Sequence, residues 1–218
     1  MSPRMARVLV VFFLSSAAAT PQAQVRGQLP TGWAAANPRA GAVWEAYEVG
    51  VDRNVKHMGE ASAYIRALGA SPQGFMALVQ GFRADQYRGR RLRFSGYIRV
   101  QAVAEYATLW VQLFGDGGTV GFDNMGNRPV KGTADWAKYE IVLDVPESSV
   151  GVSFGFLLHG PGQAWFDDLT FDVVGQDVPT TNMTAANRTN PANSETDRMF
   201  WMNQPAQPAN LGFEEATR

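Results

Sequence analysis

The sequence predicts an all-β fold, a β-sandwich or barrel of about nine short strands. Three observations lead there. Apolar and polar residues alternate with period two in one segment after another between residues 42 and 174. Turn-forming clusters separate these segments at short intervals, and the 218-residue chain contains 22 Gly and 12 Pro. No long segment of helical period interrupts the series.

In chain order, Leu29-Pro30-Thr31-Gly32-Trp33 reads as a turn with Trp33 poised over a core edge. Residues 42–51 alternate loosely, with Tyr47 and Val49 on one side. They read as a strand, with a short helix as the alternative. Residues 52–60 form a turn-rich loop, and 61–68 a strand with Ala61, Ala63 and Ile65 on one face. The apolar run 75–82 is a further strand. In 91–101, Leu92, Phe94, Ile98 and Val100 face one way, and Arg91, Arg93, Ser95, Tyr97 and Arg99 the other. Residues 108–115 are expected to pair with it, with Leu109, Val111 and Leu113 inward and Trp110, Gln112 and Phe114 outward. Segments 120–125, 136–145 and 150–158 follow as strands.

The last strand, residues 163–174, carries an oddity: Asp167 and Asp168 stand side by side at its centre. Side chains alternate across a strand, so one of the two is expected to face the core. A carboxylate there needs a cation or several donors to offset its desolvation. From 175 to 209 the chain is rich in Asn, Thr, Pro and Gln and reads as a linker or surface arm. The apolar string Asn210-Leu211-Gly212-Phe213-Glu214 then resumes.

Composition narrows the function classes. The formal net charge is -1, so no global field draws in nucleic acid. There is no Cys, which excludes disulfides, thiolate metal sites and cysteine nucleophiles. Arg4 and Arg7 precede an apolar stretch at 8–14 and a small, polar stretch at 15–24. This order reads as a signal peptide over 1–24, and hence a periplasmic or extracellular protein. The apolar run is too short to span a bilayer.

Several motifs resemble the galactose-binding-like jelly roll of carbohydrate-binding modules. They are Pro30-Thr31-Gly32-Trp33, the strand ending at Asp52, Gly59-Glu60-Ala61-Ser62, and the closing Trp165-Phe166-Asp167-Asp168-Leu169. The stretch 87–145 also resembles an uncharacterised secreted bacterial family that automated naming often labels as transcriptional-regulator associated. Its hallmarks are Tyr87-Arg88-Gly89-Arg90, Phe122-Asp123-Asn124-Met125 and Asp135-Trp136. The Asn-x-x-Phe-Glu strand with which members of the galactose-binding-like group often open is missing before Leu29, and the same string stands at 210–214. A circular permutation is therefore expected: a sandwich domain over 25–174, an arm over 175–209, and a C-terminal strand over 210–218 returning to the sandwich. The alternative is a frayed tail.

The resemblance implies a structural Ca²⁺ held by Asp167 or Asp168 and Glu214, with Asp52 a weaker third. The alternative is an aspartate that accepts backbone N–H bonds or pairs with Arg. Sugar binding needs a flat ring with amides, carboxylates or Arg beside it. Tyr97, Arg99, Trp110 and Gln112 on two strands assumed to be neighbours, rimmed by Asp123, Asn124 and Arg128, are the candidate ligand residues. The competing reading makes Trp110 core and the arginines its edge. No nucleophile elbow, His-rich metal motif or phosphate-binding loop is present. The expectation is a non-catalytic binding module for a glycan or cell-envelope component. Alternatives are a protein-interaction domain on the same scaffold and, third, an enzyme of unknown chemistry.

Overall fold

The computed structural model describes residues 26–36, 44–181, 188–189 and 194–217. The signal peptide expected over 1–24 lies outside them. The strands are β1 (Ala34–Ala36), β2 (Tyr47–Asp52), β3 (Ser62–Ala67), β4 (Phe75–Arg83), β5 (Arg91–Gly115), β6 (Gly118–Asp123), β7 (Val130–Asp144), β8 (Ser149–His159), β9 (Gln163–Val174) and β10 (Arg188–Thr189). A 3-10 turn at Trp44–Ala46 precedes β2, and one α-helix, α1, spans Ser194–Met202.

One strand organises the whole. Residues 91–101 and 108–115, expected to be two paired strands, are the two ends of the 25-residue strand β5. Its first half pairs with β9 on one side and β7 on the other. Its second half pairs with β8 and β6. All pairings are antiparallel, in the order β1-β4-β8-β5-β9-β3-β2. The continuous sheet thus folds about β5 into two halves, one built on β2-β3-β9-β5-β7 and the other on β1-β4-β8-β5-β6. Register shifts between Ile98 and Ala107, with Ala102 at φ 51°, let β5 turn from one half to the other. This is the jelly-roll β-sandwich expected from the sequence.

The two inner faces meet in a single large core. Phe82, Phe94, Phe154, Phe156, Phe166 and Phe213 are buried in it. Their rings interlock, with Phe156 stacked on Phe166 at 4.2 Å and Phe94 on Phe171 at 4.7 Å. Without disulfides, this packing carries the stability. Tyr47 and Val49 are buried as their parity predicts, and Trp33 lies in the core against Phe154 and Phe156.

Gly155 marks a close strand contact. A Cβ there would be driven into the Leu78 carbonyl oxygen of β4, which the ladder holds in place. Gly155→Ala is expected to destabilise the fold by about 1–3 kcal/mol, as overpacking does. Chemical denaturation measures it. A cost below 0.5 kcal/mol, the scale of neutral surface substitutions, would show that the strands can part.

The C-terminal segment differs in part from the expected strand. Residues 210–217 return to the sandwich but form turns and one isolated bridge, Pro30 with Ala216. Phe213 and Asn210 adopt φ of 58° and 49°, which breaks any extended run. Short backbone bonds still tie the segment to the N-terminal turn: Thr31 N–H donates to Glu215 O and Thr217 N–H to Leu29 O, both at 2.9 Å. The arm is not wholly extended either, because α1 lies within it. Glu195 and Asp197 favour its positive N-terminal end. Trp201, on the other end, packs over Gly81 and Gly151, and at Gly151 any side chain would collide with its ring.

Candidate functional site

The paired aspartates are the starting point. Ser95 pairs with Thr170, but Tyr97 pairs with Asp167, so β9 holds one residue more than β5 between those pairs. That is a β-bulge, and Asp168 sits in it at φ 49°. The bulge corrects the expectation that one aspartate faces the core. Trp165 and Asp167 share the outer face, Phe166 and Leu169 turn inward, and Asp168 is lifted out of the alternation.

Asp167 is nevertheless only 1% exposed, because the loop 53–60 covers it. The backbone N–H groups of His57 and Met58 donate to its Oδ2 at 2.8 and 3.2 Å, and Asp168 N–H to its Oδ1 at 2.8 Å. Burial pushes the carboxyl above its ordinary value, against these three bonds. A folded-state value raised above the unfolded one means that the fold favours the protonated form. That contribution is lost as pH rises through the raised value. The melting-temperature difference between Asp167→Asn and the parent should therefore shift in the variant's favour from about pH 4 to 7. A flat difference would show that the amides balance the burial.

Beside Asp167, His57 Nδ1 meets Asp168 Oδ2 at 2.6 Å. The imidazole stacks on Tyr97 with centroids 3.6 Å apart and meets Trp136 edge-on at 5.8 Å. One register row further along, Tyr64, Trp165 and Arg99 lie side by side on β3, β9 and β5. The Arg99 guanidinium sits 5.7 Å from the Trp165 ring centroid and 3.7 Å from Asp135. Asp52 Oδ2 accepts the Trp165 indole N–H at 2.9 Å. Burial alone would raise the Asp52 carboxyl, but that bond and the Asn54 and Val55 amides hold it below its ordinary value. The Tyr64 hydroxyl donates to Glu48, which Arg66 also grips at 2.9 Å. Led by the Tyr64 bond, these contacts lower the Glu48 pKa. The face thus combines flat rings with fixed donor–acceptor pairs, and Tyr64, Tyr97, Trp136 and Arg99 are half-exposed on it.

The other candidate ligand residues lie elsewhere. Trp110 and Gln112 are on the second half of β5, in the other half-sheet, and each is 2% exposed. Trp110 packs with Phe75, Ala77 and Leu157 in a second apolar cluster. The strands assumed to be neighbours are one strand, so Tyr97 and Trp110 cannot share a platform. Asp123 is fully buried and accepts from Arg128 at 2.8 and 3.3 Å, Met125 N–H at 2.8 Å and Thr181 Oγ1 at 2.6 Å. Thr181 in turn accepts from Val142 N–H, so this knot fastens the start of the arm to β7. Asn124 caps the adjoining turn through Gly126 N–H.

The three carboxylates expected around Ca²⁺ all border the loop 53–60, yet their oxygens meet N–H donors. Glu214 takes the Glu60 N–H at 3.0 and 3.1 Å. Among the described residues no group of three or more His, Asp or Glu side chains is placed to hold a metal ion. As arranged, these residues do not fit a cation cage, since donors fill the positions that Ca²⁺ would need.

Tyr64, Trp165 and Trp136 escaped the candidate set. The parity of Tyr64 against Ala63 and Ile65 does mark the outer face, whereas Trp165 shares its parity with Leu169 and Phe171 and reaches that face only through the bulge. No sequence signal marks His57, which reaches the site on a loop.

No family model matches the sequence. A relative from Bacillus subtilis (strain 168), "Uncharacterized HTH-type transcriptional regulator YbfP", is 45% identical over 139 residues. The match covers 63% of this chain and 47% of the relative, so the chain spans less than half of that protein. One helix, α1, is present among the described residues, so they hold no helix-turn-helix pair. The enzymatically active domain of tailspike protein 4 from bacteriophage CBA120 is similar in structure, with a TM-score of 0.52 and 12% identity, over 66% of this chain and 20% of that one. The CBM22-1 xylan-binding domain of Paenibacillus barcinonensis Xyn10C gives a TM-score of 0.45 and 16% identity, over 67% and 88%. The likeness to the tailspike domain is one of fold.

Proposed function

We propose that this chain is an exported, non-catalytic binding module whose ligand is a glycan of the cell envelope or surroundings. The observation that carries the reading is the outer face of β2-β3-β9-β5-β7. There Tyr64, Tyr97 and Trp136 stand half-exposed beside the ion-paired Arg99, Arg66 and Glu48. Rings stack on the C–H faces of pyranoses, and guanidinium–carboxylate pairs offer a donor and an acceptor to neighbouring hydroxyls. The basic and apolar N-terminal stretches support export.

Affinity electrophoresis against a series of polysaccharides tests the reading. Retardation of the parent protein is expected on at least one. Trp136→Ala and Tyr97→Ala should each weaken it by about tenfold or more, the scale of losing one stacked ring. Trp110→Ala should instead lower the melting temperature. Full retardation of both face variants would place the ligand elsewhere, and no retardation on any polysaccharide would favour the protein-interaction alternative.

A further inference from the structure

The sheet face singles out a chemical class of glycan. Along one row of that face, Gly50, Tyr64, Trp165 and Arg99 follow one another across β2, β3, β9 and β5. Gly50 carries no side chain, and the Tyr64 ring lies over it. Trp165 is buried although it stands on the outer side of the sheet. The Arg99 guanidinium lies over its ring, with the central carbon 5.7 Å from the centroid. Trp165 is therefore a backing for Arg99 and not a platform for sugar. A guanidinium stacked on a fixed ring is pre-organised, so less freedom is lost when its planar fork takes a ligand.

That fork is open to ligand. The Arg99 side chain keeps 42% of its surface exposed, and among the described residues it donates no hydrogen bond. Its acidic neighbour, Asp135, stands 3.7 Å from Nε, too far for a hydrogen bond, and is itself exposed. Asp135 Oδ1 instead accepts the Trp136 N–H at 2.9 Å. Such a contact between solvated charges holds little free energy, so an incoming acid can take the place of Asp135. Glu48 does not compete, because it is committed to the Tyr64 hydroxyl at 2.5 Å and to Arg66 at 2.9 Å. In the next row, Gln101 pairs with Gln163 across β5 and β9, and neither side chain has a hydrogen-bond partner among the described residues. Two uncommitted amides thus stand beside the guanidinium, each with donors and an acceptor for ring hydroxyls. Two-bonded contacts from Arg to a carboxylate are roughly twice as strong as bonds between neutral groups.

We propose that the glycan taken by this face is acidic, a polyuronate. Arg99 receives a uronate carboxylate, and Gln101 and Gln163 bond hydroxyls of the same ring. Tyr97 and Trp136 stack on adjoining rings. The assignment rests on the glycan reading above and adds to it the charge of the ligand and the residue that selects it.

Calorimetric titration of the full chain tests it. The ligands are hexasaccharides of galacturonate, mannuronate and guluronate, each beside its methyl ester, with neutral hexasaccharides of xylose and glucose and the sugar-free polyanion hexaglutamate. At least one acidic hexasaccharide should bind about tenfold or more tightly than its ester. Arg99→Gln keeps a side-chain stem over Trp165 and removes the charge. It should bring the acid to the affinity of the ester while the melting temperature holds. Arg99→Lys should recover only part of the loss, because an ammonium has no planar fork. Equal affinity for acids and esters, or binding of the neutral sugars alone, overturns the acidic class and leaves the glycan reading standing. No binding of any sugar overturns both. An acid affinity untouched by Arg99→Gln, or matched by hexaglutamate, also overturns the assignment.

Discussion

Replacing Phe213 by Ala is expected to cost about 3–5 kcal/mol, the range for deleting a buried aromatic ring. The ring is fully buried, packs on Trp33 at 5.3 Å and on Phe156 at 5.6 Å, and comes from a segment with little structure of its own. The rest of the segment is held by polar and backbone bonds. Asn210 Nδ2 donates to Thr31 O and Glu215 O, Gln80 Nε2 donates to Ala209 O at 2.7 Å, and Leu169 N–H donates to Leu211 O. These bonds place the segment, and the ring anchors it. Urea denaturation of the parent and of Phe213→Ala and Phe213→Leu separates the two contributions, with the Leu variant expected to recover part of the loss. A Phe213→Ala cost below about 1 kcal/mol would mean that the C-terminal segment is a detachable tail.

The second large effect is expected at Arg128. Asp123 is wholly buried, and Arg128 is its cationic partner. Removing one member of such a pair leaves an uncompensated charge and costs about 3–5 kcal/mol. Because the Arg128 side chain keeps 29% of its surface exposed, water can reach the gap and the lower end applies. The knot also holds Thr181, so loosening of the arm should accompany the loss of stability. The informative comparison is a cycle with Asp123→Asn. If the cost is the buried charge, the double variant should be more stable than Arg128→Ala alone. If the costs simply add, Arg128 acts through its bond to Glu140 O instead.

Both sites show where sequence legibility ends. Asp123 and Arg128 stand five residues apart in a polar loop, the local appearance of a ligand rim. Nothing in that stretch reveals that Thr181 arrives from the arm and closes the carboxylate off from solvent. Trp110 is equally ambiguous. Its outward parity is legible, but an outward side chain on a sheet can be a platform or the base of a second cluster. Burial depends on what lies over the sheet, which strand periodicity does not encode. Tyr97 and Arg99 are on the half-sheet whose outer face is partly open, and they remain at the candidate site. The aspartate pair could not be placed by alternation alone, because alternation assumes a regular strand. The bulge between Thr170 and Asp167 alters that premise by one residue.

Period-two patterning and turn chemistry were sufficient for the class of fold, for most strand positions, and for the inward set of Phe94, Ile98, Leu109 and Val111. Each of these follows from local stereochemistry and from the need to bury one face of a strand. The joining of 91–101 and 108–115 into one strand shared by two half-sheets was decided by tertiary structure. So were the burial of Trp110 and the assembly of His57, Tyr97 and Trp136 on one face. These depend on pairings between residues far apart in the chain, such as Tyr97 with Asp167 and Arg198 with Asp116. The free energy of such contacts belongs to the packed whole, so no single segment carries their signature.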